Sequence, residues 1–109
     1  MNIKHIRFSD HLIKLVLSGS KDTTWRRYDD KWKITVGDQL SLCDKNQKEF
    51  AKANVIWVKY TTFGKLTKED KEGHENFSSN EDMCQTYSKY FNIVIGLKSK
   101  LKVIKYKLL

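Results

Sequence analysis

The 109 residues are 39% hydrophobic and 31% charged, which excludes a disordered segment and leaves room for a single core. Twenty-one lysines and arginines against 13 acids give a formal net charge of +8, which attracts polyanions and excludes a cationic partner. No apolar run approaches the roughly 20 residues of a membrane span and no signal-like apolar stretch follows Met1, so the expected setting is cytoplasmic, away from membranes.

In chain order, Ile3 to Phe8 reads as a short strand. Ser9 or Asp10 then caps a helix whose apolar face is Leu12, Ile13, Val16 and Leu17, and Gly19 stands where a helix end favours a left-handed residue. Thr23 to Arg27 is rich in β-branched and aromatic types and reads as a strand. Val36-Gly37-Asp38 turns the chain into a strand over Gln39 to Cys43, and the polar stretch from Cys43 to Phe50 connects it to the next. Ala51 to Tyr60 is the clearest strand, with Ala51, Ala53, Val55 and Trp57 alternating to one face. Thr67 and Asp70 start a helical turn. Ser78-x-x-Glu81 predicts the cap of a helix carrying Met83, Tyr87, Tyr90 and Phe91 as core. Leu101 to Leu108 reads as a last strand at the sheet's edge, with Lys98, Lys100, Lys102, Lys105 and Lys107 on its solvated face. Five or six short strands with an early and a late helix predict an α+β fold: a small curved β-barrel packed by helices, in one domain over residues 1–109.

The positive charge is uneven. Residues 1–64 carry 12 bases and 7 acids, residues 65–82 carry 3 bases and 6 acids, and residues 83–109 carry 6 bases and no acid. Cys43 and Cys84 form no CxxC pair and are expected to be free thiols. His5, His11 and His74 are scattered, so neither a metal site nor a cofactor is expected. Chemistry is densest over Ser18-Gly19-Ser20-Lys21-Asp22-Thr23-Thr24-Trp25-Arg26-Arg27. On an extended chain Lys21, Thr23, Trp25 and Arg27 share one face and Asp22, Thr24 and Arg26 the other, while a kink after Gly19 would bring the Lys21 amine toward the Thr24 hydroxyl. Arg26 and Arg27 offer bidentate phosphate contacts, and Trp25, Tyr28 and Trp32, interleaved with Lys31 and Lys33, suit stacking on a nucleobase. Trp57, Phe63, Tyr87, Tyr90 and Phe91 read as core, and His74 as a loop residue.

Residues 17–26, with Gly19-x-Lys21-x-x-Thr24-x-Arg26, resemble the G-x-K-x-x-T-x-R signature of the ASCH domain in the PUA-like superfamily. Val36-Gly37-Asp38-Gln39-Leu40, the strand from Ala51 to Tyr60, Phe63-Gly64-Lys65-Leu66-Thr67 and the closing strand with Tyr106 are similar to family segments in the same order. The resemblance implies a basic cleft and roles connected with RNA or a modified nucleoside. One small bacterial branch removes the acetyl group of N4-acetylcytidine, and the resemblance implies Lys21, Thr24 and a downstream acid as catalytic residues. Glu75 is the nearest match, with a one-residue shift, and Glu72 is its rival. Trp25 departs from the aliphatic residue of that branch. The implied ligand contacts are Trp25, Arg26, Arg27 and Tyr28. Two alternatives stand beside the hydrolase: an RNA-binding module without catalysis, and a ribonuclease, for which a histidine pair is missing.

Overall fold

The computed structural model describes residues 3–109. Its strands are β1 (Ile3–Arg7), β2 (Thr23–Arg26), β3 (Gln39–Cys43), β4 (Glu49–Thr62) and β5 (Lys100–Leu108); its α-helices are α1 (Asp10–Leu17), α2 (Lys68–Lys71) and α3 (Asn80–Phe91). The strands form one sheet in the order β1-β3-β4-β5-β2. β1 runs parallel to β3, and every other pairing is antiparallel.

The predicted barrel is corrected to an open sheet. Among the described residues its two terminal strands, β1 and β2, exchange no ladder; only the guanidinium of Arg26 reaches across, donating to the Arg7 carbonyl at 3.4 Å. Arg7 and Arg26 place like charges on the two facing edges, which opposes pairing there.

Both faces of the sheet are covered. On one, Leu12 and Val16 of α1 pack with Ile6, Leu40, Leu42, Val55, Ile104 and Tyr106. On the other, Met83, Tyr87 and Phe91 of α3 pack with Trp25, Phe63, Leu101 and Val103. Leu17 and Tyr90, both read as core from spacing, are exposed at the margins of these helices.

β4 departs from strict alternation. The register shifts between Val55, opposite Tyr106, and Trp57, opposite Lys105, so Ile56 is extra. An inserted residue reverses the facing of everything after it. Val55 and Val58 therefore belong to the core under α1, whereas Trp57 packs against the core under α3. The expectation that Val55 and Trp57 share a face fails at this bulge.

β5 is not an edge strand but lies between β4 and β2. Lys102 is consequently buried, its ammonium 2.9 Å from Asp30. Asp30 also accepts the Ile34 amide at 2.9 Å, so this one carboxylate pins the irregular segment 27–38 to the middle of the sheet. The cap of α3 is one residue later than predicted: Ser79 accepts the Asp82 amide at 3.0 Å, and Ser78 instead donates to the Asp82 carboxylate. Thr67 and Asp70 form the reciprocal cap of α2. Cys43 and Cys84 are both free thiols.

Candidate functional site

A cleft of about 840 Å³ occupies the gap left between β1 and β2. Its walls include Arg7 from β1, Lys21, Thr24, Trp25 and Arg26 from β2 and its approach, Asp30, Lys31 and Trp32 from the segment beyond, Glu75, and Tyr87 from α3.

Lys21 enters this cleft because α1 ends at once. Gly19 takes φ +83, a left-handed conformation that glycine adopts without a steric penalty, and the Lys21 amide returns to the Leu15 carbonyl at 2.9 Å. The side chain is buried. Its ammonium donates to the Thr23 carbonyl at 2.8 Å and lies 2.9 Å from Glu75 Oε2. That second approach is close but poorly directed, so Oε2 remains buried without an aligned donor. Burial pulls the Lys21 amine below the ordinary lysine range, outweighing the attraction of Glu75. Burial would raise the Glu75 carboxyl, but Lys21 overcomes it and holds the acid below its ordinary range. Thr24 is buried at the cleft wall, and its hydroxyl has no hydrogen-bond partner among the described residues.

Glu75 reaches Lys21 through a short anchored loop. The Gly73 carbonyl accepts the amides of Asp22 and Thr23 at 2.9 and 3.1 Å, and the Glu72 carbonyl accepts the Thr23 hydroxyl at 3.0 Å. Gly73 has φ +74, and a Cβ there would run into the Asp22 carboxylate. Gly73→Ala is therefore expected to cost about 1–3 kcal/mol in denaturant unfolding, for a strained left-handed residue and a displaced Asp22. Glu72 contributes its backbone to this anchor but does not line the cleft, whereas Glu75 does.

His74 is more than a loop residue. Its imidazole is wholly buried and stacks on the Trp25 indole with centroids 3.7 Å apart and planes 9° apart. Nδ1 is 2.9 Å from the Glu75 carbonyl, Nε2 is 2.8 Å from the Tyr87 hydroxyl, and Nε2 is 3.3 Å from Glu75 Oε1. A carbonyl only accepts, so Nδ1 carries the proton and Nε2 presents a lone pair to Tyr87. Burial, with help from Lys21, lowers the imidazole pKa to about 4 and keeps it neutral.

The remaining expected contacts divide. Arg26 is half-buried in the cleft, and among the described residues no carboxylate lies within ion-pair distance of Arg26, Arg7 or Lys31. Arg27 touches the cleft, but its guanidinium is held by Asp29 and by the Phe91 carbonyl. Trp25 contributes to the wall, yet its ring faces the core beneath α3, with Nε1 donating to the Asp70 carbonyl at 3.0 Å. Tyr28 lies outside the cleft, over a smaller hollow of about 270 Å³ with Ile93 and Lys100. Two aromatic rings at the cleft are exposed: Trp32, tilted against His5, and Tyr90.

A model of the ASCH domain matches residues 2–102. The chain belongs to the ASCH-domain family. No curated protein matches it significantly. Among solved structures, a protein from Enterococcus faecalis V583 superposes with a TM-score of 0.82 at 14% identity, covering 100% of this chain and 82% of that one. An ASCH domain from Lactobacillus crispatus JV V101 gives 0.74 at 13% identity, covering 98% and 79%. The ASCH protein of Zymomonas mobilis gives 0.68 at 14% identity, covering 96% and 66%. At such identities the likeness establishes the shared ASCH fold.

Proposed function

We propose that this ASCH domain is a small amidohydrolase acting on the exocyclic amide of an acylated cytosine nucleoside, N4-acetylcytidine being the simplest. The observation that carries the reading is the pairing of buried Lys21 with half-buried Glu75 in the same cleft as the unpartnered Thr24 hydroxyl. With the proton that the pair shares lying on Glu75, Lys21 as the neutral amine takes the Thr24 hydroxyl proton while Oγ attacks the acyl carbonyl. Glu75 delivers a proton to the departing exocyclic nitrogen, releasing cytidine and leaving an acyl-threonine. Water then hydrolyses that ester, yielding acetate and restoring Thr24. Trp32 offers the base a stacking surface at the mouth.

The test is incubation with N4-acetylcytidine and chromatography of the nucleosides. Cytidine and acetate in equal amounts are expected, and their absence at high protein concentration overturns the reading.

A second reading, an RNA-binding module without turnover, is favoured by the uncompensated charges of Arg7, Arg26 and Lys31 in the cleft. It predicts oligonucleotide binding that weakens steeply with salt, lessened by Arg26→Ala, with no product formed.

A further inference from the structure

His74 is a buried, neutral base that the hydrolytic scheme does not use, and its surroundings give it a definite place in that scheme. The proton inventory is constrained. With Nδ1–H donated to the Glu75 carbonyl, Nε2 has one lone pair and two oxygens near it: the Tyr87 hydroxyl at 2.8 Å and Glu75 Oε1 at 3.3 Å. While Glu75 is ionised, Nε2 and Oε1 are two acceptors in contact without a proton between them. That contact becomes a hydrogen bond when the Glu75 carboxyl carries its proton on Oε1.

We infer that His74, in competition with the Tyr87 hydroxyl, is the positioning residue that decides whether Lys21 or Glu75 holds the proton they share. The inference rests on the hydrolase reading for its purpose, though not for its test. The two states are related by one proton: an ammonium beside a carboxylate becomes an amine beside a carboxylic acid, with no change in total charge. In the second state Oε1–H donates to Nε2, Oε2 keeps the Lys21 amine beside it, and that amine has a lone pair for a hydroxyl proton. Only this second state supplies the base that Thr24 needs. His74 does not touch the substrate, because its side chain has no exposure. It acts by accepting a hydrogen bond from one form of Glu75 and not from the other.

Tyr87 opposes this. Its hydroxyl fills the same lone pair and so favours the ion pair. Among the described residues, the other charged or titratable groups around the network are Asp22 and Arg26, which act on Lys21, Arg26 and Tyr90, which act on Tyr87, and Tyr106, on which Glu75 acts and whose hydroxyl donates to the Lys21 carbonyl. Arg26 adds to burial in disfavouring the ammonium, while Asp22 works against both.

The two substitutions that remove each competitor have opposite expected signs. His74→Phe keeps a ring on Trp25 but removes the lone pair, so the ratio of neutral amine to ammonium at Lys21 falls, by about fivefold for one ordinary hydrogen bond. Tyr87→Phe frees the lone pair, and the ratio rises by a similar factor. In a Glu75→Gln background, neither substitution changes it. The measurement is the Nζ and Cε chemical shift of Lys21 in labelled protein at pH 7, assigned by Lys21→Arg, with thermal melts to confirm folding.

This readout needs no substrate, so it stands whether or not N4-acetylcytidine is turned over. If turnover occurs, kcat at pH 7 follows the same order while KM is unmoved by His74→Phe. A purely packing role for His74 would lower the melting temperature without moving the Lys21 signals. That result, or a shift of the same sign from both variants, overturns the inference. If His74→Phe fails to fold, the sign of the Tyr87→Phe effect and its loss in the Glu75→Gln background decide it.

Discussion

Lys21→Arg is expected to abolish hydrolysis of N4-acetylcytidine while leaving the fold in place. Arginine keeps a positive charge beside Glu75, so the half-buried carboxylate retains a counter-ion. A guanidinium does not give up its proton in the pH range of the experiment, however, so the base is gone. Removing a positioned base costs about 10²–10⁴-fold in kcat. Lys21→Met loses the base as well, but it also strands Glu75 in the cleft, and its lost activity would be mixed with lost stability. The arginine variant separates the two. Thermal unfolding near the wild-type temperature combined with no cytidine is the expected pair of results. Turnover retained in Lys21→Arg would show that the residue serves as a fixed charge and not as a base. Thr24→Val is the companion, since it removes the hydroxyl at nearly constant volume. Activity that survives it would require water as the direct nucleophile.

Local signals are legible wherever one residue type has one dominant conformational use. Gly19 ends α1 and Gly37 turns the chain into β3 because both positions require φ above zero. Lys21 and Thr24 both line the cleft, Lys21 after the turn at Gly19 and Thr24 within β2 opposite Ile104. What could not be read depends on partners distant in sequence. Lys102 looks like any solvated strand lysine until β2 covers its edge and Asp30, 72 residues away, is placed against its ammonium. The bulge at Ile56 leaves no composition signal, yet it moves Trp57 from one core to the other. The barrel expectation failed similarly. Strand count and length fitted closure, but the facing arginines of β1 and β2 became neighbours only through the order of the whole sheet. His74 went unrecognised because stacking on Trp25 and hydrogen bonding to Tyr87 join three separate segments.

That buried imidazole gives the fold a specific sensitivity to acid. The His74 pKa is lowered from 6.5 to about 4, chiefly by burial and secondly by the Lys21 ammonium. Between those values the unfolded chain binds a proton at His74 that the folded chain refuses, so stability falls as the pH drops through 6.5 and the loss is complete near 4. At about 1.4 kcal/mol per pH unit, the loss from this one residue between pH 7.5 and pH 4.5 is about 2–3 kcal/mol. Asp38, Asp70 and Glu75 are also held low in the folded state. Those carboxylates contribute stability that is lost only as the pH falls below their ordinary values of 3.8 and 4.5. The window above pH 4.5 therefore isolates His74 from them. Urea unfolding at half-unit intervals from pH 7.5 to 4.5 should show the midpoint falling steadily below 6.5 in the wild type. In His74→Phe, which has no proton to refuse, that part of the slope should vanish, even if the variant is less stable at pH 7.5. An unchanged slope in the variant would mean that the imidazole is already solvated, and hence that the stack on Trp25 does not bury it in solution.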